Sequence, residues 1–468
     1  MRELPLLFIC LAPVPAFSSA AAQTAIREMR SPVTAIQVAE RAARDSAPPA
    51  SAFWRELGDS TLDRLIGEVL RANLDIRAVE ARVRGAQAAR VSAALDLVPS
   101  ASLAGQYNRQ RLASAGFPVA LGSLPDQSVW AAGLTASWEL DLAGRLRRSY
   151  QAQGALVTAA REDSRDVQIA LTAALARTYF ELRGAEGRLL VAQRNAENQR
   201  RTFEVTQERL DAGRGTAFDT ERARAQLGAT LASIPALETQ IATAKYQIGV
   251  LIGRSPAAAA EELKVPAELP PLPAVAAPAN PGALVRERPD VLAAERQVAA
   301  RRALVGAARA DYLPRVSIGG SAGYTATSFG TLADQGTFRY AVGPVVSWPL
   351  LNLGRVKAGV DVARAQEEEA DAQYRRTVLA AEQELATALA GYGGARTRVE
   401  RLEDAAAASE RAAELARLRF SEGASDFLQV LDAERTQLEA QDQLARGKSD
   451  AAIAYVALYQ ALGGRWAN

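Results

Sequence analysis

The 468-residue chain contains no histidine. That removes the commonest general base and the commonest metal ligand. Its one cysteine is Cys10, so the rest of the chain can form neither a disulfide nor a cysteine-based metal site. Carboxylate catalysis survives these absences. Yet the 53 Asp and Glu are interspersed with 55 Lys and Arg on helix-like segments, which is the pattern of solvated surface ion pairs. The formal net charge is +2, and there is no basic run or aromatic-studded basic patch, so no nucleic-acid partner is expected. No enzyme, cofactor or metal centre is expected either. Beyond residue 23 no apolar run approaches the ~20 residues of a membrane-spanning helix. A membrane crossing by this chain would have to be made by strands.

The N-terminus reads MRELPLLFICLAPVPAFSSAAAQ. Arg2, an apolar stretch from Leu4 to Pro13 and the A-x-A site at Ala20–Ala22 give the layout of a secretory signal over 1–22. A disordered tail is the alternative. Residues 23–52 carry little pattern and read as an extended segment.

From Trp130 to Leu142 every second residue is apolar: Trp130, Ala132, Leu134, Ala136, Trp138, Leu140 and Leu142. Small or polar residues lie between them, so this is a strand with two unlike faces. It runs straight into an Ala- and Arg-rich helical pattern. The same junction occurs twice, as WELDLAGR (138–145) and WPLLNLGR (348–355). Trp138 and Trp348, Gly144 and Gly354, Gly213 and Gly423, Ala223 and Ala433, and Gly253 and Gly463 all stand 210 apart. Asp75 with Asp290 and Pro99 with Pro314 stand 215 apart, and the slip falls where a hairpin loop belongs. A constant offset broken only in a loop indicates duplication of a unit of roughly 190 residues.

Each copy reads helix, strand, strand, very long helix, turn, helix. In the first, a single helix is predicted over 61–98, strands near 100–112 and 128–142, a helix over 145–211 and a return helix to about Ile252, kinked at Pro235. In the second, strands fall near 315–328 and 337–351, and helices over 355–422 and to about Leu462. Pro344 and Pro349 are expected at a strand end or bulge. The repeats span 53–255 and 282–466, joined by a proline-dense connector over 256–281.

Long Ala-rich helices alone would fit a soluble coiled-coil scaffold. The strands oppose that reading. Trp130, Trp138, Tyr324, Tyr340 and Trp348 lie on faces that alternate with Ser, Thr and Gly, as in an outer-membrane barrel with aromatics against lipid. Four strands cannot close a barrel, and open edges do not survive in lipid. The chain must therefore oligomerise, with two copies giving eight strands and three giving 12.

The chain resembles the TolC-like outer-membrane efflux proteins, most closely the OprM/NodT branch. The matching stretches are FWRELGDSTLDRLIGEVLRANLDIRAVEARV (53–83), RERPDVLAAERQVAARRALVGAARADYLPRVSIGGSAG (286–323), VSWPLLNLGR (346–355) and FSEGASDFLQVLDAERTQL (420–438). The resemblance implies a mainly α protein with a membrane β-barrel. Three chains would build a 12-strand β-barrel continuous with a 12-helix periplasmic α-barrel. It implies an outer-membrane exit duct for drugs or other small molecules, passive itself. The duct would be coupled through a periplasmic adaptor (membrane fusion) protein to an inner-membrane transporter of the resistance–nodulation–division type. An exit duct for type I protein secretion is the alternative within transport.

By the same resemblance, the turns at Gly213 and Gly423 form the tips that meet the adaptor. Leu428 and Asp432 constrict the periplasmic gate, with Asp219 on the partner helix. The chain departs from the polar lock of some relatives, having Phe420, Ser425 and Gln429 where Tyr, Arg and Asp stand. Many OprM-like members are lipidated on an N-terminal cysteine. Here Cys10 follows Ile9 and lies early, so cleavage near Ala22 is the favoured expectation and lipidation at Cys10 the lesser one.

Overall fold

The structure, a computed structural model, describes residues 52–111, 126–275 and 280–464. The expected signal segment, most of the residues after it and Cys10 lie outside the described residues. The chain divides into Met1–Ala52 and Phe53–Asn468, and the elements below belong to the second unit apart from the first helical residue.

Short helices α1 (Ala52–Arg55) and α2 (Ser60–Ala72) lead into α3 (Leu74–Leu95). The single helix expected over 61–98 is thus two. Asn73 breaks it, with extended backbone and a side-chain oxygen that accepts from the Asp75 and Ile76 amides. Its Nδ2 also donates to the Leu251 carbonyl at 2.8 Å, so the break is fixed from outside the helix. Strands β1 (Ser100–Gln110) and β2 (Gln127–Leu140) follow. The alternation read through Leu142 overshoots the strand. Asp141 leaves the ladder and its carboxylate accepts from the Leu146 and Arg147 amides, capping the next helix.

That helix, α4 (Arg145–Asp211), has 67 residues, about 100 Å at 1.5 Å per residue. A tight turn returns the chain through α5 (Ala217–Leu251), which runs unbroken through Pro235. Helices α6 (Pro256–Glu262), α7 (Pro281–Arg286) and α8 (Pro289–Ala310) lead to β3 (Arg315–Ala326) and β4 (Phe338–Ser347). The second long helix is α9 (Leu353–Ser421, 69 residues), and α10 (Phe427–Ala461) returns.

Pro344 sits inside β4 opposite Ile318, not at an end or bulge. The register runs unbroken through it, from Arg315 with Ser347 to Tyr324 with Phe338, so the missing amide removes one donor without ending the strand. The strand stops at Ser347, so Trp348 lies just past it and Pro349 precedes a 3₁₀ turn.

The four strands form one antiparallel sheet in the order β1-β2-β3-β4. The two hairpins, far apart in sequence, are sealed together by β2 and β3, and β1 and β4 are left as edges. The main core lies around the middle of the long helices. Phe53 and Trp54 of α1 are inserted there, with ring centroids 4.7 Å from Tyr455 and Tyr459 respectively. Trp54, Tyr179, Tyr455, Tyr459, Phe180, Leu62 and Ile248 are fully buried. The connector is pinned to this core. Arg183 is buried beside Glu186 at 2.7 Å and donates to the Val265 carbonyl, and Tyr392 donates its hydroxyl to the Pro273 carbonyl.

Candidate functional site

The ladder register decides which strand residues share a face. Directly opposed residues in antiparallel strands point the same way. Tyr107 faces Trp130, Leu103 faces Leu134, Trp138 faces Ile318, Ala132 faces Tyr324, and Ala322 faces Tyr340. One face therefore carries Leu103, Leu134, Ile318, Val342 and Val346 together with the aromatics. The other carries Ser102, Thr135 and Ser321 in one row and Ser137 and Gly319 in the next. Tyr340 and Val342 are each 75% exposed, so the apolar face is uncovered by its own chain.

Aromatics gather at the two ends of that face. At the hairpin end Tyr107 packs on Trp130 at 4.5 Å and Trp130 on Phe329 at 5.2 Å, while Tyr324 packs on Phe338 at 5.5 Å. At the helix end Trp138 donates its indole N–H to the Leu97 carbonyl at 3.0 Å, and Trp348 donates to the Tyr312 carbonyl at 3.2 Å. The two latches are the same contact in the two repeats. Eight residues separate Trp130 from Trp138, about 27 Å along a strand, or about 20 Å of height at a tilt near 40°. That is close to the ~25 Å apolar band of an outer-membrane barrel. No helix among the described residues is long and apolar enough to cross a membrane.

The far ends of α4 and α9 are built alike. Gly213 has φ +68° and Gly423 has φ +71°. The Gly213 amide donates to Leu210 and the Arg214 amide to Arg209, while Gly423 donates to Phe420 and Ala424 to Arg419. This paired-bond ending needs a left-handed residue, and glycine supplies it without strain. The return helices are capped at once, by Thr216, which accepts from the Asp219 amide, and by Asp426, which accepts from that of Gln429. Nothing lies within 4 Å of where a Cβ would stand on either glycine. The two turns are tight and sterically open.

Leu428 and Asp432, four residues apart, share an exposed face of α10, with Leu428 45% exposed. They turn away from the neighbouring apolar cluster of Ala223, Phe427 and Val430. Asp432 is held by Arg435 one turn on, at 2.9 Å. Asp219 acts locally, because its carboxylate accepts from the Thr216 hydroxyl at 2.7 Å and closes a reciprocal cap on α5.

Two residues near the tips were not legible as site residues. Glu434 is buried, accepts from the Thr202 hydroxyl at 2.8 Å and from Arg417 at 3.2 Å, and so joins α4, α9 and α10. Burial raises its carboxyl above the ordinary value, and the two hydrogen bonds only partly offset that. Arg209 lays its guanidinium 4.1 Å from the centroid of the Phe420 ring and donates to the Phe420 carbonyl at 2.9 Å, tying one tip to the other. Further along the same seam Asn195 meets Gln441 at 2.8 Å and Arg188 meets Asp442 at 2.7 Å. Sequence periodicity shows such residues only as helix polars. Apart from Arg417, 17 residues before Glu434, their partners come from a helix more than 200 residues away.

Comparison with known proteins gives a consistent picture. The chain is 31% identical over 435 residues to the pyoverdine export outer membrane protein OpmQ of Pseudomonas putida, covering 91% of this chain and 90% of that one. It is 31% identical over 428 residues to outer membrane protein OprJ of Pseudomonas aeruginosa, covering 91% and 88%. Among solved structures, the outer-membrane channel OprN superposes with a TM-score of 0.82 at 37% identity, over 89% of this chain and 93% of that one. The outer membrane protein VceC of Vibrio cholerae gives 0.81 at 25% identity, over 89% and 99%. The model of the outer membrane efflux protein family matches twice, over 65–254 and 281–464. With both halves matched and the same strand–helix architecture, the chain belongs to the outer membrane efflux protein family.

Proposed function

We propose that three copies of this chain close into a 12-strand β-barrel in the outer membrane, continuous with a 12-helix periplasmic barrel. The assembly is the passive exit duct of a tripartite efflux pump. The observation that carries this reading is the uncovered, open-edged sheet feeding two helices of about 100 Å. Four strands with free edges at β1 and β4 cannot stand in lipid, and pairing β4 of one copy with β1 of the next satisfies both edges. The helices support the same closure. Neighbours pack in the order α3-α4-α8-α9, and the outer two expose Val91, Leu95, Val362 and Leu379.

Such a duct does no covalent chemistry. Similar proteins are named for pyoverdine export and for solvent and toluene efflux, which fits a conduit for small molecules whose choice is made upstream. The turns at Gly213 and Gly423 offer backbone to a periplasmic adaptor, which links the duct to an inner-membrane transporter of the resistance–nodulation–division type. At the closed tip Leu428 and Asp432 of each copy meet near the axis. Because Arg435 holds each Asp432, closure rests on leucine packing and ion pairs rather than on bare carboxylates. Asp219 acts there by shaping the α5 cap. The two repeats, 53–255 and 282–466, are the structural units.

Planar-bilayer conductance of the purified protein, native and Leu428→Ala/Asp432→Ala, tests this. The expected result is a small native conductance that rises sharply in the double variant. Absence of a channel in both proteins would reject the duct. A native channel already wide open would reject the gate.

A further inference from the structure

The small-residue face of the sheet is nearly free of uncompensated charge. Glu139 is gripped by Arg145 through contacts of 2.8 to 3.2 Å, and Arg315 is paired with Asp311 at 2.7 Å. Arg339 differs. It is exposed, and no hydrogen bond, ion pair or ring contact is found for it among the described residues. Its cross-strand row explains why. Arg339 stands opposite Gly323, Gly323 opposite Gly133, and Gly133 opposite Ala104. The strands are so close there that a Cβ on Gly323 would run into the Ala132 carbonyl. The row is a floor of glycine and alanine with nothing to hold or screen a guanidinium.

Position along the strand matters too. Arg339 is the second residue of β4, at the hairpin end, far from the helices. The other charges at this end are partly compensated: Arg109 and Arg111 share one partner, Asp126, at 3.3 and 2.7 Å, beside the hairpin between β1 and β2. The segment from Leu112 to Pro125 contains no charged residue, and the turn before β4 contributes only Asp334. Arg109, Arg111 and Arg339 against Asp126 and Asp334 leave one excess positive charge per chain at this end.

Resting on the barrel reading above, we infer that Arg339 forms a ring of three positive charges on the luminal wall at the outer mouth, and that this ring makes the exit favour anionic solutes. The reach of this ring is set by screening, about 10 Å at 0.1 M salt and about 30 Å at 0.01 M. The ring therefore acts strongly on dilute solutions and fades in concentrated ones. The cargo it suits is a carboxylate- or phosphate-bearing small molecule, since a guanidinium pairs such groups in a planar fork.

The test is the reversal potential across a 10-to-100 mM KCl gradient. It is measured in the Leu428→Ala/Asp432→Ala background, so that the tip is not in series with the mouth. Arg339→Gln, Arg339→Glu and Arg339→Lys are compared with the arginine protein, each checked for trimer by native mass measurement. The expected chloride-to-potassium permeability ratio is highest with arginine, retained with lysine, lower with glutamine and lowest with glutamate, and the differences shrink at 1 M salt. Equal reversal potentials in all four conducting proteins would overturn the ring and leave the duct standing. No current in any of them would overturn the barrel reading, and the ring with it.

Discussion

The tip glycines separate a folding role from a docking role. Gly213 and Gly423 sit at φ +68° and +71°, where a residue with a Cβ costs about 1–2 kcal/mol and asparagine costs less. No atom lies within 4 Å of either Cβ position, so a side chain adds no clash to that backbone cost. Gly253 gives the contrast: its φ is +70° as well, but a Cβ there would come within 2.6 Å of the Ala72 carbonyl. Gly213→Ala or Gly423→Ala should lower stability by about 1–2 kcal/mol, Gly253→Ala by more, and Gly213→Asn or Gly423→Asn by under about 1 kcal/mol. Thermal unfolding followed by circular dichroism in detergent ranks these changes. If the turns also receive a partner's backbone, the asparagine variants stay folded and trimeric yet lose efflux, because the added side chain occupies the contact surface. Efflux is read as drug susceptibility of cells that depend on this duct. Asparagine variants that fold normally and support full efflux would refute the docking role and leave the glycines as helix endings only.

Trp54 is fully buried against Tyr459, so Trp54→Ala should cost about 3–5 kcal/mol and loosen the attachment of α1, seen as faster proteolysis near residue 53. Glu434 has a raised carboxyl pKa, so the folded state holds its proton more tightly than the unfolded chain does. Its contribution is fully present below the ordinary value of 4.5 and is lost as pH rises through the folded value. Glu434→Gln should flatten this part of the stability–pH profile, measured as melting temperature across pH 4 to 8, and an unchanged slope would count against burial as the cause. Replacing Trp138 and Trp348 together by Phe removes both indole-to-carbonyl latches while keeping the rings apolar. Each is worth about 1 kcal/mol, so a modest drop in the heat resistance of the trimer is expected.

The long helices were legible because their signal is long. Over 67 residues without proline, the end at a glycine turn could be placed within a residue of Asp211. The strands were legible from alternation, but their ends were not. Asp141 and Trp348 satisfy the strand period while their groups are taken by a helix cap and by a carbonyl of a preceding turn. The split at Asn73 was hidden for a similar reason, since its partner Leu251 is 178 residues away.

The sequence by itself determined the duplicated plan, the two-faced strands, the glycine turns and the lack of histidine and of any cysteine beyond Cys10. These follow from local spacing and composition, which need no partner. Only the tertiary structure decided that β2 seals to β3, that Asp432 lies exposed beside Arg435, that Glu434 is buried between helices and that Arg339 stands alone over glycine. Charge state and exposure are set by neighbours. Here the neighbours come from the other repeat, from the next strand or from one turn along a helix whose facing could not be read in advance.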